Sequence, residues 1–171
     1  HEVRLDAAGA VVDVTADERA LHEVYLPHFR RIVESGVASV MSAYNSVNGE
    51  WCGESGRLLT EILRDELGFE GFVTSDFVFG LRDPVGSVTA GLDIEMPVAS
   101  FYGAPLVSAV KNGELAETVI DGAVRRILLQ KLCFGLDAPP PADPGAVESP
   151  EHVALALEVA EKAIVLLKNA D

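Results

Sequence analysis

Three carboxylates stand at or near the ends of short apolar runs, where side chains can do chemistry. Asp76 follows Phe72-Val73-Thr74-Ser75 and precedes Phe77, Phe79 and Gly80. A run rich in aromatic and β-branched residues has no structural need of an acid at its tip. A carboxylate there, beside an aromatic ring, suits a glycosidase nucleophile, which attacks an anomeric carbon while apolar ring faces stack on the sugar. The other reading is an Asp that caps the turn or helix after it. Tyr44 closes an earlier run, Val37 to Tyr44. Its phenol can donate to the Asp76 carboxylate and orient it, the alternative being a half-buried Tyr that only packs. Asp93 and Glu95 are two apart in the run Leu92 to Met96 and therefore share a face. They read as acids held by hydrogen bonds rather than as reacting groups.

Elements must hold these residues in place. Leu21, Val24, Tyr25, Phe29, Ile32 and Val33 recur at helical spacing, which predicts a helix over 17–35, interrupted at Pro27 and stopped at Gly36. Val37 to Tyr44 predicts a buried parallel strand, followed by an Asn48-Gly49 turn. Ser55 as N-cap, a stripe of Leu58, Leu59, Ile62, Leu63 and Leu67, and Gly68 as a stop predict a helix over 55–67. Gly71 to Ser75 is a second strand, a short helix reaches Ala90, and Leu92 to Met96 is a third strand closed by Pro97. Residues 104–112 and 116–132 are helical.

Helices alternating with apolar strands imply an α/β fold, a parallel sheet covered by helices. A doubly wound sheet and a (β/α)8 barrel both fit. Three strands cannot close a barrel of about 250 residues, so in the barrel case this chain is its last part. Functional side chains then stand at strand C-termini: Met41, Tyr44 and Asn45, then Asp76 and Phe77, then Glu95 and Met96. Residues 1–135 form this part. Residues 136–150, with Pro139, Pro140, Pro141 and Pro144, read as a stiff linker. Residues 151–171 open as a helix, run into Ala163 to Asn169, and read as the entry to a second domain.

The chain has 171 residues and a formal charge of −14, yet 49% of it is apolar. That is enough apolar side chain for a core and unlike an intrinsically disordered tail. The acidic balance disfavours nucleic acid and membrane surfaces as partners. No apolar run approaches the roughly 20 residues that span a bilayer. The stretch His1 to Asp6 does not read as a secretory signal, and there is no initiating Met, so the chain reads as processed or as an excerpt, with its compartment open. Cys52 and Cys133 read as thiols without a disulfide framework or zinc spacing. His22 and His28 are six apart, not at the i, i+4 step of a helical metal site. No metal or cofactor is assigned.

The ordered motifs Tyr44-Asn45-Ser46-Val47-Asn48-Gly49 within Val40 to Gly49, Gly71-Phe72-Val73-Thr74-Ser75-Asp76 within Leu58 to Asp76, and Ala90 to Pro97 resemble family-3 glycoside hydrolases, the β-glucosidase family. Ala163 to Asn169 resembles the segment by which that family enters its second, α/β sandwich domain. The resemblance runs from Val12 almost to the end and implies a partial (β/α)8 barrel leading into that sandwich. It implies that Asp76 is the nucleophile of a retaining, exo-acting β-glycosidase, with Met41 and Tyr44 lining the non-reducing sugar's subsite. The family usually places Trp after the nucleophile; here Phe77 keeps the aromatic platform and removes the indole donor.

Further sugar contacts of the family lie before residue 1, and Arg4 matches none of them. Its acid/base Glu matches no acid in residues 151–171. The implied substrate is a β-linked oligosaccharide or an aryl or alkyl glycoside. The implied partners are the missing barrel and sandwich segments of a parent protein, or a second copy. A β-xylosidase or other exo-glycosidase of the family is the nearest alternative. A non-catalytic carbohydrate-binding or scaffold fragment is another. A phosphate-binding lyase or aldolase would want a Gly-rich phosphate loop and a strand-end Lys, and neither is present.

Overall fold

Five short strands lie among residues 12–169, the residues that the computed structural model describes: β1 (Asp13–Val14), β2 (Ser39–Met41), β3 (Ser46–Val47), β4 (Glu50–Trp51) and β5 (Phe72–Thr74). The readings made of His1 to Asp6 and of Arg4 lie outside those residues. β2 and β5 pair in parallel, with Ser39, Val40 and Met41 opposite Phe72, Val73 and Thr74. Parallel pairing needs a long crossover, and the Arg57–Glu66 helix lies in it. The fold is α/β.

Residues expected as the third strand run alongside β5 but join it by a single parallel bridge, Thr74 to Ile94. The shortfall has a local cause. The amides of Asp93 and Ile94 both donate to the Val73 carbonyl, at 2.9 and 3.1 Å, and the Val73 amide donates to the Asp93 carboxylate instead of a neighbouring backbone.

Two strands pairings were not expected from the sequence. Asn48 and Gly49 take φ of 52° and 87°, the double left-handed turn that an Asn-Gly pair favours, and so join β3 to β4 as an antiparallel hairpin. β1 adds to β3 in parallel, and Asn48 fastens it by accepting from the Ala16 amide and donating to the Ala16 carbonyl. The expected helix over 17–35 is broken at Leu26, where Pro27 starts a new helix, Pro27–Glu34. Asp17 caps its first part by accepting from the Ala20 amide at 2.7 Å.

Apolar burial follows the predicted stripes. Leu59, Ile62 and Leu63 of the Arg57–Glu66 helix pack with Val73 of β5 and with Leu92. A second cluster, Val88, Leu106, Ala109 and Leu115, joins the Pro84–Ala90 and Ala104–Lys111 helices. The chain divides into two compact units, one ending at Leu136 and one beginning at Asp137. In the second, Ser149 caps the Pro150–Ala163 helix through the His152 amide. No helix of the described residues is long and apolar enough to cross a membrane.

The most constrained polar group is Asp93, whose side chain is 0% exposed. Its Oδ2 accepts from the Arg64 guanidinium and the Val73 amide, both at 2.7 Å. Its Oδ1 accepts from Arg126 Nε at 2.9 Å and a terminal nitrogen at 2.6 Å. Arg64 also donates to the carbonyls of Gly71 and Gly91. Asp93→Ala strands two part-buried guanidiniums without their counter-charge, and the expected loss is about 3–5 kcal/mol in urea unfolding.

A solvent-exposed tie joins the first helical segment to the Arg57–Glu66 helix. His22 Nε2 donates to Glu66 at 2.9 Å and Nδ1 to the Glu18 carbonyl at 2.8 Å, so only the doubly protonated ring serves both acceptors. The hydrogen bond to Glu66 holds the His22 pKa above its ordinary 6.5, and the same bond holds Glu66 below 4.5. A raised histidine stabilises below its unfolded value and loses this as pH rises through its folded one. A lowered carboxylate stabilises above its unfolded value and loses this as pH falls through its folded one. His22→Ala should therefore lower Tm most between pH 4.5 and 6.5, with the difference fading at alkaline pH.

Candidate active site

β5 delivers Asp76 to the end of the sheet. Ser75 donates its amide to the Ile94 carbonyl at 2.8 Å and its hydroxyl accepts from the Met96 amide at 2.8 Å, which fixes the backbone just before the acid. Asp76 is 8% exposed. Its Oδ1 accepts from the amide of the next residue, Phe77, at 2.7 Å. The Tyr44 hydroxyl is hydrogen-bonded to the same carboxylate, and that bond holds the phenol above its ordinary pKa of 10.0. Tyr44 comes from the segment after β2, where Ser42 donates its amide to the Thr74 carbonyl at 2.8 Å.

Apolar surface surrounds the acid. Phe77 and Phe79 are 51% and 66% exposed, and the Phe79 ring meets Tyr44 edge-on with centroids 6.3 Å apart. Gly80 lets the chain fold back on itself: a Cβ there would sit 2.6 Å from both the amide nitrogen and the carbonyl oxygen of Asp76.

The other two acids are committed to structure. Asp93 is the buried hub already described. Glu95 accepts from the amides of Ser100, Phe101 and Tyr102 at 3.0, 2.8 and 2.7 Å, and so folds the following loop. The structure brings Asp76, Tyr44 and Phe77 together. Met41 stands opposite Thr74 in the β2–β5 register and lines a mainly apolar cavity of about 420 Å³ with Tyr25, Phe29 and Val40. Asn45 is buried beside it and donates to the Ser46 carbonyl.

Cys52 is buried, which pushes its thiol pKa up, and Cys133 is exposed. Among the described residues, no three His, Cys, Asp or Glu side chains form a candidate metal site.

Sequence reasoning missed a cluster beside Asp76. The Arg82 guanidinium lies 3.6 Å from the centroid of the Trp51 ring, and Glu54 accepts from the amides of Arg82 and Asp83. No short motif signals it, because Glu54 and Arg82 are 28 residues apart and meet only after β3 and β4 form their hairpin.

The description "Glycosyl hydrolase family 3 N terminal domain" fits residues 2–129. The chain belongs to glycosyl hydrolase family 3. Relatives in the family include a β-glucosidase of Rhizobium radiobacter, 42% identical over 156 residues, which covers 90% of this chain and 19% of the relative. Thermostable β-glucosidase B of Acetivibrio thermocellus is 40% identical over 162 residues, covering 94% of this chain and 21% of that protein. Among solved structures, the β-glucosidase DesR of Streptomyces venezuelae, in complex with D-glucose, superposes with a TM-score of 0.82 at 34% identity, covering 92% of this chain and 22% of DesR. The chain thus spans about a fifth of the length of these relatives.

The Tyr44 to Asp76 bond has a direct readout. With ring-labelled tyrosine followed by NMR, Tyr44 should titrate above 10.0, and Asp76→Asn should move it down towards that value.

Proposed function

We propose that this chain is the nucleophile-bearing part of a retaining, exo-acting β-glycosidase of the β-glucosidase type. The observation that carries the reading is the pairing of the Asp76 carboxylate with the Tyr44 hydroxyl at the end of β5, beside the exposed ring of Phe77. In the reaction, Asp76 attacks the anomeric carbon of a terminal, non-reducing β-glucosyl residue, and the bond to the leaving oxygen breaks. That oxygen takes a proton from a carboxylic acid, and water then hydrolyses the glycosyl ester on Asp76 to return the carboxylate. Tyr44 orients the nucleophile. Phe77, with Met41, supplies apolar surface to the sugar.

The acid that protonates the leaving oxygen must approach within about 5–5.5 Å of the nucleophile. Asp93 and Glu95 are engaged with guanidiniums and backbone amides, which makes them poor donors for that step. We assign the acid instead to another part of a longer protein, in keeping with the fifth of the relatives' length that this chain spans. On this reading residues 1–135 are the last part of a (β/α)8 barrel, 136–150 a linker and 151–171 the start of an α/β sandwich. The chain alone is inactive or nearly so.

In the whole protein, Asp76→Asn should lower hydrolysis of an aryl β-glucoside by at least about 10⁴-fold with the fold intact. Normal turnover in that variant would overturn the assignment. A panel of aryl glycosides separates a β-glucosidase from a β-xylosidase.

A further inference from the structure

We propose that Glu54 and Arg82 are positioning residues, which latch the loop that starts at Asp76 onto the β3–β4 hairpin. The inference rests on Asp76 being the nucleophile, as argued above.

The loop is held in a shape it would not take alone. Val78 is β-branched, yet has φ of 67°, in the left-handed region that such residues avoid. The three consecutive apolar side chains of Phe77, Val78 and Phe79 are 51%, 60% and 66% exposed. Burial of these side chains therefore does not explain the conformation. Gly80 packs against the Asp76 backbone, and Gly53, just after the hairpin, packs against the Gly80 carbonyl so closely that a Cβ has no room there.

Polar bonds close the far end. Glu54 Oε1 accepts from two successive amides, Arg82 and Asp83, each at 2.8 Å. The Arg82 guanidinium donates to the Tyr44 carbonyl at 3.3 Å while Trp51 covers it. A cation held against an indole face is restrained in direction as well as attracted. Tyr44 is also the residue whose hydroxyl bonds Asp76. Arg82 therefore ties the end of the loop to the backbone of the residue that orients the carboxylate at its start. Release of the latch frees both the acid and its hydrogen-bond donor.

The distinguishing measurement is the rate at which a 2-deoxy-2-fluoro-β-glucoside with a good leaving group forms its adduct, per folded molecule of the whole protein. A merely structural role changes how much protein folds and is labelled, not this rate constant. Glu54→Ala should slow it by about 10- to 100-fold, the penalty of displacing a reacting group by about an ångström. Glu54→Gln retains an acceptor oxygen and should slow it by no more than about threefold.

Adduct formation by Glu54→Ala at the parental rate would overturn the proposal, as would equal slowing in Glu54→Gln. If Glu54→Ala does not fold, Arg82→Met decides, since it keeps an apolar stem on Trp51 and loses the donor. Slowing by at least about threefold supports the latch, and the parental rate removes it. Asp76→Asn is the control. If it still forms an adduct, the nucleophile assignment fails; if it does not while Glu54→Ala labels normally, only the latch fails.

Discussion

A carboxylate taken fully out of water must have its oxygens answered by donors, or it costs more than the fold can supply. Asp93 meets that demand with two guanidiniums and one backbone amide, drawn from the Arg57–Glu66 helix, the Glu117–Cys133 helix and β5. These elements cannot shift against one another without breaking a charge-assisted bond in a dry site. The consequence for function is register. A slip of one residue along β5 would turn every side chain to the opposite face and carry Asp76 away from Tyr44. The hub therefore holds the register of the strand that ends beside the acid.

Three acids of similar kind take different roles because their surroundings differ. Asp93 is enclosed by arginines, Glu95 gathers the amides of Ser100 to Tyr102, and Asp76 faces a phenol and exposed aromatic surface. The first two spend their acceptor capacity on the fold. The third is oriented by neighbours that leave apolar surface close to it. Small residues make this possible: without Gly80 and Gly53 the loop after Asp76 could not lie against the strand end and the hairpin together.

Much of this was legible in the sequence where the signal is local. The leucine stripe of residues 55–67, the Gly68 stop and the apolar run into Asp76 fixed a helix and a strand that the structure contains as Arg57–Glu66 and Phe72–Thr74. The Asn48-Gly49 turn was recognised, but not the hairpin it closes, because two-residue strands carry no periodicity. The Leu92 to Met96 segment has a strand's composition, yet Asp93 diverts the Val73 amide from the ladder, a tertiary effect invisible to pattern. Asp93 meets its arginines across 29 and 33 residues, and Glu54 reaches Arg82 across 28. Partners that far apart leave no spacing to read. The acid at the strand tip could be singled out because its chemistry disagrees with its neighbours, whereas the groups that hold it in place look ordinary one by one.

The central assignment is Asp76 as the nucleophile whose oxygen forms the covalent sugar ester. Its most direct test is to quench the whole protein during reaction with a slowly released β-glucoside, digest it, and locate the sugar by tandem mass spectrometry. The expected result is a single glycosylated peptide with the sugar on Asp76. A sugar carried by Asp93, Glu95 or any other side chain, or turnover with no covalent ester at all, would contradict it.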